Sequence, residues 1–402
     1  MRRERGLKVN YFLSDDQKMI KDLAAQVARE KLLPIRAELD ETGEFPWDVV
    51  QTLAKADLFR VFVPTEYDGL GGGMFEMCLV VEELSKVCSG IALSYAASGL
   101  GTIPIILYGS DEQKKKYLPR LAAGEILAAF GLTEAGAGSD AAGIKTTAKP
   151  DGDSYILNGT KQWITNGGEA TIYTVVALTD PARGVRGTST ILVEKDHPGF
   201  TFGKKENKMG IRASATRELV FQDCRVPKSN ILGREGMGFL VAMKTLDQSR
   251  PGVASQALGI AQGALDYAIT YSRERKQFGK PISSFQGLQF MLADMATQVE
   301  AARALCYAAA RSIDAGEKDV SRLSAMAKVF ASDTAMKVTT DAVQICGGYG
   351  YMKEYPVEKM MRDAKITQIY EGTNQIQREV IALGLIKESV RGGNGQGTPS
   401  KT

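Results

Sequence analysis

The first part of the chain has the apolar periodicity of amphipathic helices. Ser14 and Gln17 form a capping-box pattern, and apolar residues recur at helical spacing from there to about residue 38. Further helical patterns cover 47–58, 77–87, 91–107 and 111–121, with a glycine-rich turn segment at 64–73. These patterns predict an N-terminal α-helical domain over residues 1–125.

The rhythm changes after Gly124. Between residues 126 and 235, short runs rich in β-branched and aromatic residues alternate with turn residues. Asn158-Gly159 and Asn166-Gly167 lie between such runs, and Asn-Gly is a strong hairpin signal. Because no helical pattern separates the strands, we expect a middle β domain over 126–235, built as a small barrel or sandwich and not as a parallel sheet.

Helical periodicity returns near residue 236. Long helices are predicted at 237–275, 285–315, 320–346 and 366–387, which is enough for a four-helix bundle. We therefore expect a C-terminal α-helical bundle over 236–390. The glycine-rich tail, 391–402, has no apolar anchor and is expected to be disordered. The predicted fold class is α+β, in the order α, β, α.

The composition restricts which partners and catalytic groups can be expected. Of the 402 residues 44% are hydrophobic and 24% are charged, and a net charge of +3 gives no electrostatic reason to expect a nucleic-acid or membrane-surface partner. No run of about eighteen apolar residues exists, so no transmembrane helix is expected. His197 is the single histidine, which argues against a metal centre with several histidine ligands and leaves one candidate for a histidine base. An enzyme of this composition would use a carboxylate or a bound cofactor.

The cysteines are dispersed and form no CxxC pair. They are Cys78, Cys88, Cys224, Cys306 and Cys346. An odd, scattered set argues against a disulfide framework and against a zinc site. It is typical of a reducing compartment, and we expect a cytoplasmic location.

Three glycine-bearing segments, 133–140, 344–351 and 369–375, are candidates for a site, but none has the spacing of a Rossmann fingerprint or a P-loop. The first, with Thr133 and Ser139, suits either a loop whose backbone approaches a ligand or an ordinary tight turn. The second is typical of a glycine C-cap. In the third, apolar neighbours would raise the pKa of Glu371 towards that of a base, although a solvated glutamate explains the segment alone more simply.

Two further features of the sequence, a basic stretch and a tryptophan, each allow a structural or a binding role. The basic stretch 273–280 follows a long helix, where it would complement the helix dipole or hold phosphates. Trp163 lies in a strand pattern, where a tryptophan belongs either to the core or to the wall of a site for a flat cofactor.

In this order, the segments resemble the acyl-CoA dehydrogenase family, and the resemblance covers about 13–386. Segment 130–140 is similar to the family's first signature, and 344–351, 356–364 and 369–375 are similar to its C-terminal one. Segments 83–88 and 243–247 are closest to short-chain, butyryl-CoA-type members. Ala135 and Asp68 depart from the pattern, since the family often has proline and glycine at these positions.

The resemblance implies FAD as cofactor, bound between the β domain and the bundle of a homotetramer. The implied FAD contacts are Phe130, Leu132, Thr133, Gly138, Ser139, Trp163, Ile164, Thr165, Arg275, Phe278, Gln286, Gln344, Ile345, Gly347, Gly348, Thr373 and Gln375. Gln286 and 344–348 map to contacts with a neighbouring subunit's FAD. The residues that the resemblance implies on the substrate side of the site are Asp247, Arg250, Tyr370, Gly372 and Ser139, the last of which is also an implied FAD contact.

The implied reaction is the α,β-dehydrogenation of an acyl-CoA thioester to the trans-2-enoyl-CoA. Glu371 would remove the α-proton while the β-hydrogen leaves as hydride to flavin N5. The N–H of Glu371 and a ribityl hydroxyl of FAD would hold the thioester oxygen. Some relatives carry the base at the position of Ser249, which cannot serve here. Electrons would pass to an electron-transfer flavoprotein.

Two alternatives remain open at this level. An acyl-CoA oxidase would use oxygen as acceptor, but such oxidases are typically much longer. A non-catalytic homologue would bind FAD or acyl-CoA only, against which the intact base, hydroxyls and glycines argue. The acyl group also stays open among butyryl, isobutyryl, 2-methylbutyryl, isovaleryl and alicyclic forms; 91–95 and 99–101 fall where the family shapes its acyl pocket.

Overall fold

The computed structural model of the protein describes residues 11–393 and begins with a helical region. Its α-helices are α1 (Asp15–Val27), α2 (Arg36–Thr42), α3 (Trp47–Lys55), α4 (Met74–Val87), α5 (Ser89–Tyr108) and α6 (Asp111–Ala122). The predicted capping box is present at the start of α1, where Ser14 Oγ accepts from Gln17 N at 3.1 Å. The helix predicted to reach residue 38 is interrupted by a π-helical turn at Ala28–Leu32 and by a turn at Pro34, which has no N–H to donate.

The middle region forms one eight-stranded sheet. Its strands are β1 (Ala128–Gly131), β2 (Thr147–Asp151), β3 (Ser154–Thr165), β4 (Ile172–Leu178), β5 (Thr188–Glu194), β6 (Phe200–Phe202), β7 (Thr216–Pro227) and β8 (Ile231–Leu232). Their order is β6-β7-β3-β2-β4-β5-β8, and β1 pairs in parallel with β4. His197 lies in the turn between β5 and β6, where its N–H donates to Glu194 O.

The C-terminal region is again helical. It contains α7 (Gly238–Glu274), the short hairpin β9 (Lys276–Gln277) and β10 (Lys280–Pro281), then α8 (Gln286–Asp314), α9 (Ser321–Cys346), α10 (Pro356–Thr367) and α11 (Asn374–Gly393). The prediction of one helix over 366–387 is wrong, because α10 ends at Thr367 and α11 begins at Asn374. The predicted tail begins at residue 391, inside the last turn of α11, and beyond Gly393 it lies outside the described residues.

The central helix α5 joins the layers. It packs against β1 so closely that a Cβ at Gly101 would lie 2.6 Å from Ala129 N, so only glycine fits there. Among the described helices, α5 alone is long and apolar enough to pass a test for a membrane span, and 78% of that stretch is buried inside the protein. This helix contains serine and threonine, so it is not an uninterrupted apolar run, and its burial explains its apolar composition, because a helix covered on all sides needs no polar face.

The hydrophobic core has three parts, and the smallest of them borders the candidate site. One part lies between the N-terminal helices and the sheet, and another fills the C-terminal bundle. The third contains Leu132, Ala137 and Ile144 from the loop after β1, with Ala242 and Leu246 from α7. Packing in this third part of the core holds the loop after β1 against the bundle. The predicted α, β, α fold class is confirmed.

Candidate active site

The break between α10 and α11 carries the candidate base. Glu371 has a φ of +52° and Gly372 a φ of +89°, so both residues lie in the left-handed region and the helix cannot continue through them. A side chain on α7 meets this loop, where Ser249 Oγ donates to Glu371 Oε2 at 2.5 Å. The fold thus brings together two residues 122 positions apart in the chain.

Burial raises the pKa of the Glu371 carboxyl, because its charged form is poorly solvated there. The hydrogen bond from Ser249 and the positive charges of Arg250 and Lys328 act in the opposite direction and favour the carboxylate. Arg250 is held in turn by Asp247, with Nη1 and Oδ1 2.8 Å apart. Burial outweighs the opposing contacts, so the pKa of Glu371 is raised, which is the direction that makes a carboxylate a better general base.

Glu371 opens on a cavity of about 340 Å³ at the junction of all three regions. Helices α4 and α5 contribute Met77, Leu93, Ala96, Ala97 and Leu100. The β1 end and its loop contribute Phe130, Leu132, Thr133, Gly138 and Ser139; β3 contributes Trp163, Ile164 and Thr165. Arg250, Gln256, Tyr370 and Gly372 complete the polar part of the wall. The cavity therefore combines an apolar region with a carboxylate, hydroxyls and a flat aromatic ring.

Trp163 is set in the cavity wall and not in the core. Its φ is +57°, it follows an irregularity in the pairing of β3 with β7, and 57% of the residue is exposed. An exposed tryptophan beside hydroxyls such as Thr165 offers a face for a flat ring. The sequence left open whether Trp163 is core or cavity wall, and the structure places it in the wall.

A buried ion pair supports the glycine-rich loop after β1. Lys161 Nζ lies 2.7 Å from Glu134 Oε1 and donates to Leu132 O, while Glu134 accepts the N–H groups of Lys145 and Thr146. Burial lowers the pKa of Lys161 to about 8, and Glu134 counteracts this shift. Lys161 lies between Thr160 and Gln162 and has the local pattern of a solvated strand lysine, so its buried role could not be predicted from the sequence.

A second group of predicted residues lines another concavity. Arg275, Phe278, Gln344, Ile345, Gly347 and Gly348 surround a groove of about 700 Å³ on the bundle. Phe278 is 93% exposed at the tip of the β9–β10 hairpin, and the guanidinium of Arg275 lies over the Tyr349 ring at 5.2 Å. The predicted cofactor set is therefore divided between the cavity and this groove.

The remaining predicted residues line neither space. Gln286 and Gln375 are exposed near the first turns of α8 and α11, and Thr373 lies in the loop just before α11. Asp247 stands behind Arg250 and accepts from Ser321 Oγ at 2.8 Å, so it reaches the cavity only through the arginine.

Family models match almost the whole chain. The acyl-CoA dehydrogenase N-terminal, middle and C-terminal domain models match residues 14–125, 129–224 and 236–386. The chain belongs to the acyl-CoA dehydrogenase family. Members of this family are oxidoreductases that act on acyl-CoA with FAD as cofactor, and a similar structure from Bacillus anthracis is complexed with FAD.

Individual relatives agree with this assignment. The probable acyl-CoA dehydrogenase FadE25 of Mycobacterium tuberculosis is 51% identical over 93% of this chain and 96% of its own length. The butyryl-CoA dehydrogenase structure from Megasphaera elsdenii is 48% identical, with a TM-score of 0.92 over 94% of this chain and all of its own. A chain in a structure on the electron-transferring flavoprotein of Acidaminococcus fermentans is 52% identical, with the same TM-score and coverage.

The residues of this dehydrogenase suit FAD. The exposed ring of Trp163, the hydroxyls of Thr133 and Thr165 and the unobstructed backbone at Gly138 would accommodate a flat polar ring system. A Cβ at Gly138 would meet nothing within 4 Å, so the space beside this backbone is open to a ligand. The cavity therefore provides a wall for the ring and, next to it, the carboxylate of Glu371.

Proposed function

We propose that this acyl-CoA dehydrogenase converts a short or branched short acyl-CoA to its trans-2-enoyl-CoA, with Glu371 as the catalytic base. The observation that carries the proposal is the position of the Glu371 carboxylate on the cavity wall, where it accepts a hydrogen bond from Ser249. No other carboxylate in the wall of this cavity is buried to a similar degree. When Glu371 takes the α-proton it becomes neutral, and burial favours that product. The fold thus lowers the cost of the proton transfer.

FAD, when bound, supplies the two-electron acceptor for the hydrogen that leaves the β-carbon. We propose that Phe130, Leu132, Thr133, Gly138, Ser139, Trp163, Ile164 and Thr165 hold its ring, with Thr373 and Gln375 nearby. The residues of the bundle groove, Arg275, Phe278, Gln344, Ile345, Gly347 and Gly348, together with Gln286, would hold the distal part of FAD across a subunit contact. The groove is open on the surface of a single chain, and this supports a division of the FAD contacts between two subunits.

The chain's own residues would position the thioester. The N–H of Glu371 donates to none of the residues that the structure describes, so it is available for the thioester oxygen and would stabilise its developing negative charge. Arg250 and Tyr370 border the same space, and Asp247 orients Arg250. Ser139, on the loop after β1, would contact the acyl-CoA.

A short or branched acyl group is the substrate class that we propose. Met77, Leu93, Ala96, Ala97 and Leu100 supply the apolar part of the lining. A butyryl-CoA dehydrogenase from Megasphaera elsdenii has nearly the same fold and 48% identity. A panel of butyryl-, isobutyryl-, 2-methylbutyryl-, isovaleryl- and alicyclic acyl-CoA thioesters compared by kcat/KM would identify the substrate.

The proposed partners are an electron-transfer flavoprotein as electron acceptor and further copies of this chain in a homotetramer. Similarity to a chain in a structure on the electron-transferring flavoprotein of Acidaminococcus fermentans supports the first. Exposed aromatic residues on the bundle, including Phe278 and Tyr351, support the second. The proposed location is cytoplasmic, which agrees with five free, buried cysteines in the described residues.

Anaerobic mixing of the FAD-loaded protein with butyryl-CoA tests the function. We expect the visible flavin absorbance to bleach and crotonyl-CoA to form. Glu371→Gln should keep FAD and substrate binding but lose turnover by several orders of magnitude, since the other carboxylate in the lining, Asp140, is exposed and is not held as Glu371 is by Ser249. Glu379→Gln, at an exposed position on α11, is the matched control and should behave like the wild type.

The outcomes separate the alternatives. Rapid reoxidation of the reduced flavin by oxygen, with stoichiometric hydrogen peroxide, would indicate an oxidase. Retained colour with every acyl-CoA of the panel, despite bound FAD, would contradict an enzymatic role. Full activity of Glu371→Gln would place the base elsewhere.

A further inference from the structure

The two peptide groups that follow Glu371 are held from three helices. Gln377 on α11 donates its Nε2 to Glu371 O at 2.9 Å and to Gly372 O at 3.1 Å. Arg250 on α7 donates to Glu371 O at 3.5 Å, and Lys328 on α9 donates its Nζ to Gly372 O at 2.9 Å. Because each peptide group is planar, anchoring these carbonyls also fixes the N–H groups of Gly372 and Thr373 and restricts the adjoining backbone torsions of Glu371 and Gly372.

These anchors oppose a local strain. The left-handed backbone at Glu371, with a φ of +52°, is unfavourable for a residue with a Cβ. Such a conformation persists where surrounding contacts determine it, and it clusters at functional sites. The side chain of Glu371 leaves the backbone at this strained residue, so the anchors also determine where its carboxylate lies.

Lys328 is the unusual member of this set. Its residue has no exposed surface, and its Nζ also donates to Asn374 Oδ1 at 2.9 Å. Asn374 is held in place by Ser332 and Asp333, to which its Nδ2 donates at 2.9 and 2.8 Å. Among the described residues, no carboxylate lies within ion-pair distance of Lys328. A buried lysine without a direct carboxylate partner is rare and calls for a functional reason.

Resting on the proposed role of Glu371 as base, we infer that Lys328 is a positioning residue for this reaction. Its ammonium group holds the Gly372 carbonyl, and with the other anchors it keeps the backbone at Glu371 in the conformation that places the carboxylate on the cavity wall. Its positive charge also favours the ionised carboxylate that the reaction requires.

The electrostatics of the surroundings agree with this role. Burial lowers the pKa of Lys328 to about 7, while Glu371 and Asp333 raise it and Arg250 lowers it. Lys328 in turn lowers the pKa of Glu371, against the larger effect of burial. The charged groups that face Lys328 are therefore Glu371 on the loop, Arg250 on α7 and Asp333 on α9. In the acid range Lys328 is charged, so its removal must raise the pKa of Glu371.

Lys328→Met in the FAD-loaded full chain tests the inference, because methionine keeps the length of the side chain and removes its charge and donors. We expect the acid limb of the kcat/KM profile with butyryl-CoA to move to higher pH, and kcat to fall by up to about 100-fold through misplacement of the base. Lys337→Met, at an exposed position on the same helix, is the control and should leave both unchanged. An unshifted acid limb in Lys328→Met would overturn the inference.

A second readout needs no turnover. Acetoacetyl-CoA ionises to an enolate whose negative charge resembles the one that develops on the substrate. Its binding to the oxidised holoenzyme is followed by the absorbance of the enolate. We expect Lys328→Met to bind this enolate roughly tenfold or more weakly than the wild type, because the loop that carries Glu371 loses an anchor and the site loses a nearby positive charge. Equal affinity would contradict the positioning role.

Asn374→Ala decides the question if Lys328→Met does not fold. This variant keeps the lysine but removes the oxygen that holds its ammonium group, so kcat and enolate affinity should fall in the same direction by a smaller factor. Wild-type values in Asn374→Ala would then overturn the inference. If the wild type itself fails to reduce its flavin with any acyl-CoA, the proposed function is wrong. If the wild type is active and the variants have the same kcat, acid limb and enolate affinity, the proposed function stands and only the role of Lys328 is wrong.

Discussion

Removal of the Ser249 hydroxyl should shift the pH dependence of catalysis. In Ser249→Ala, Glu371 loses the donor that lies 2.5 Å from its Oε2. The hydrogen bond favours the ionised carboxylate, so its loss raises a pKa that burial already raises. Because Glu371 acts in its ionised form, activity on the acid side must fall.

The size of the shift follows from the type of bond. A hydrogen bond to a charged group contributes roughly 1.5–3 kcal/mol. One pKa unit corresponds to about 1.4 kcal/mol. The acid limb should therefore move upward by about one to two pH units, while activity well above the limb stays close to that of the wild type.

The assay is kcat/KM for butyryl-CoA across the acid and neutral range, with an artificial electron acceptor. Ser255→Ala is the matched control, since Ser255 is buried on the same helix but its Oγ faces Cys306 Sγ at 3.0 Å and does not line the cavity. Its profile should match that of the wild type. An acid limb that stays in place or moves to lower pH in Ser249→Ala would refute the reasoning.

Two further predictions concern stability. Burial raises the pKa of Glu371, so at any pH above the ordinary pKa of a glutamate its charged form destabilises the folded protein. Glu371→Gln should therefore raise Tm at neutral pH. The difference in Tm should vanish at low pH, where the wild-type carboxyl is protonated. A Tm difference independent of pH would contradict this. Lys161→Met leaves the buried Glu134 unpaired and should lower the free energy of unfolding in urea by about 3–5 kcal/mol, with partial recovery on adding Glu134→Gln. A loss below about 1 kcal/mol would show that the pair does not hold the loop.

Some features of this protein could be read from local sequence. The capping box at Ser14 and Gln17 forms as predicted, because it depends on residues three positions apart. The change from helical to strand periodicity and back predicted three regions, since burial of one face imposes a period on each element. Glu371 could be named as a candidate base through its segment's resemblance to a family signature.

Tertiary structure decided which residues share the site. The sequence predicted one helix through Glu371, but the backbone there takes a left-handed conformation that side chains of α7, α9 and α11 hold in place. Lys328 and Lys161 carried no local signal that separates them from solvated lysines, because their burial depends on elements distant in the chain.

The sequence by itself determined the order of the three regions and the presence of a single histidine, because these are properties of residue types and short spacings, while Glu371 is named as the candidate base through the resemblance of its segment to a family signature. Only the tertiary structure decided that Ser249 reaches Glu371, that Trp163 faces the cavity and that most of the residues predicted to contact FAD are divided between two separate concavities. Such relations follow from the packing of α7 against the sheet and the bundle. Proton affinity depends on this packing, since burial and neighbouring charges set the pKa of a carboxyl.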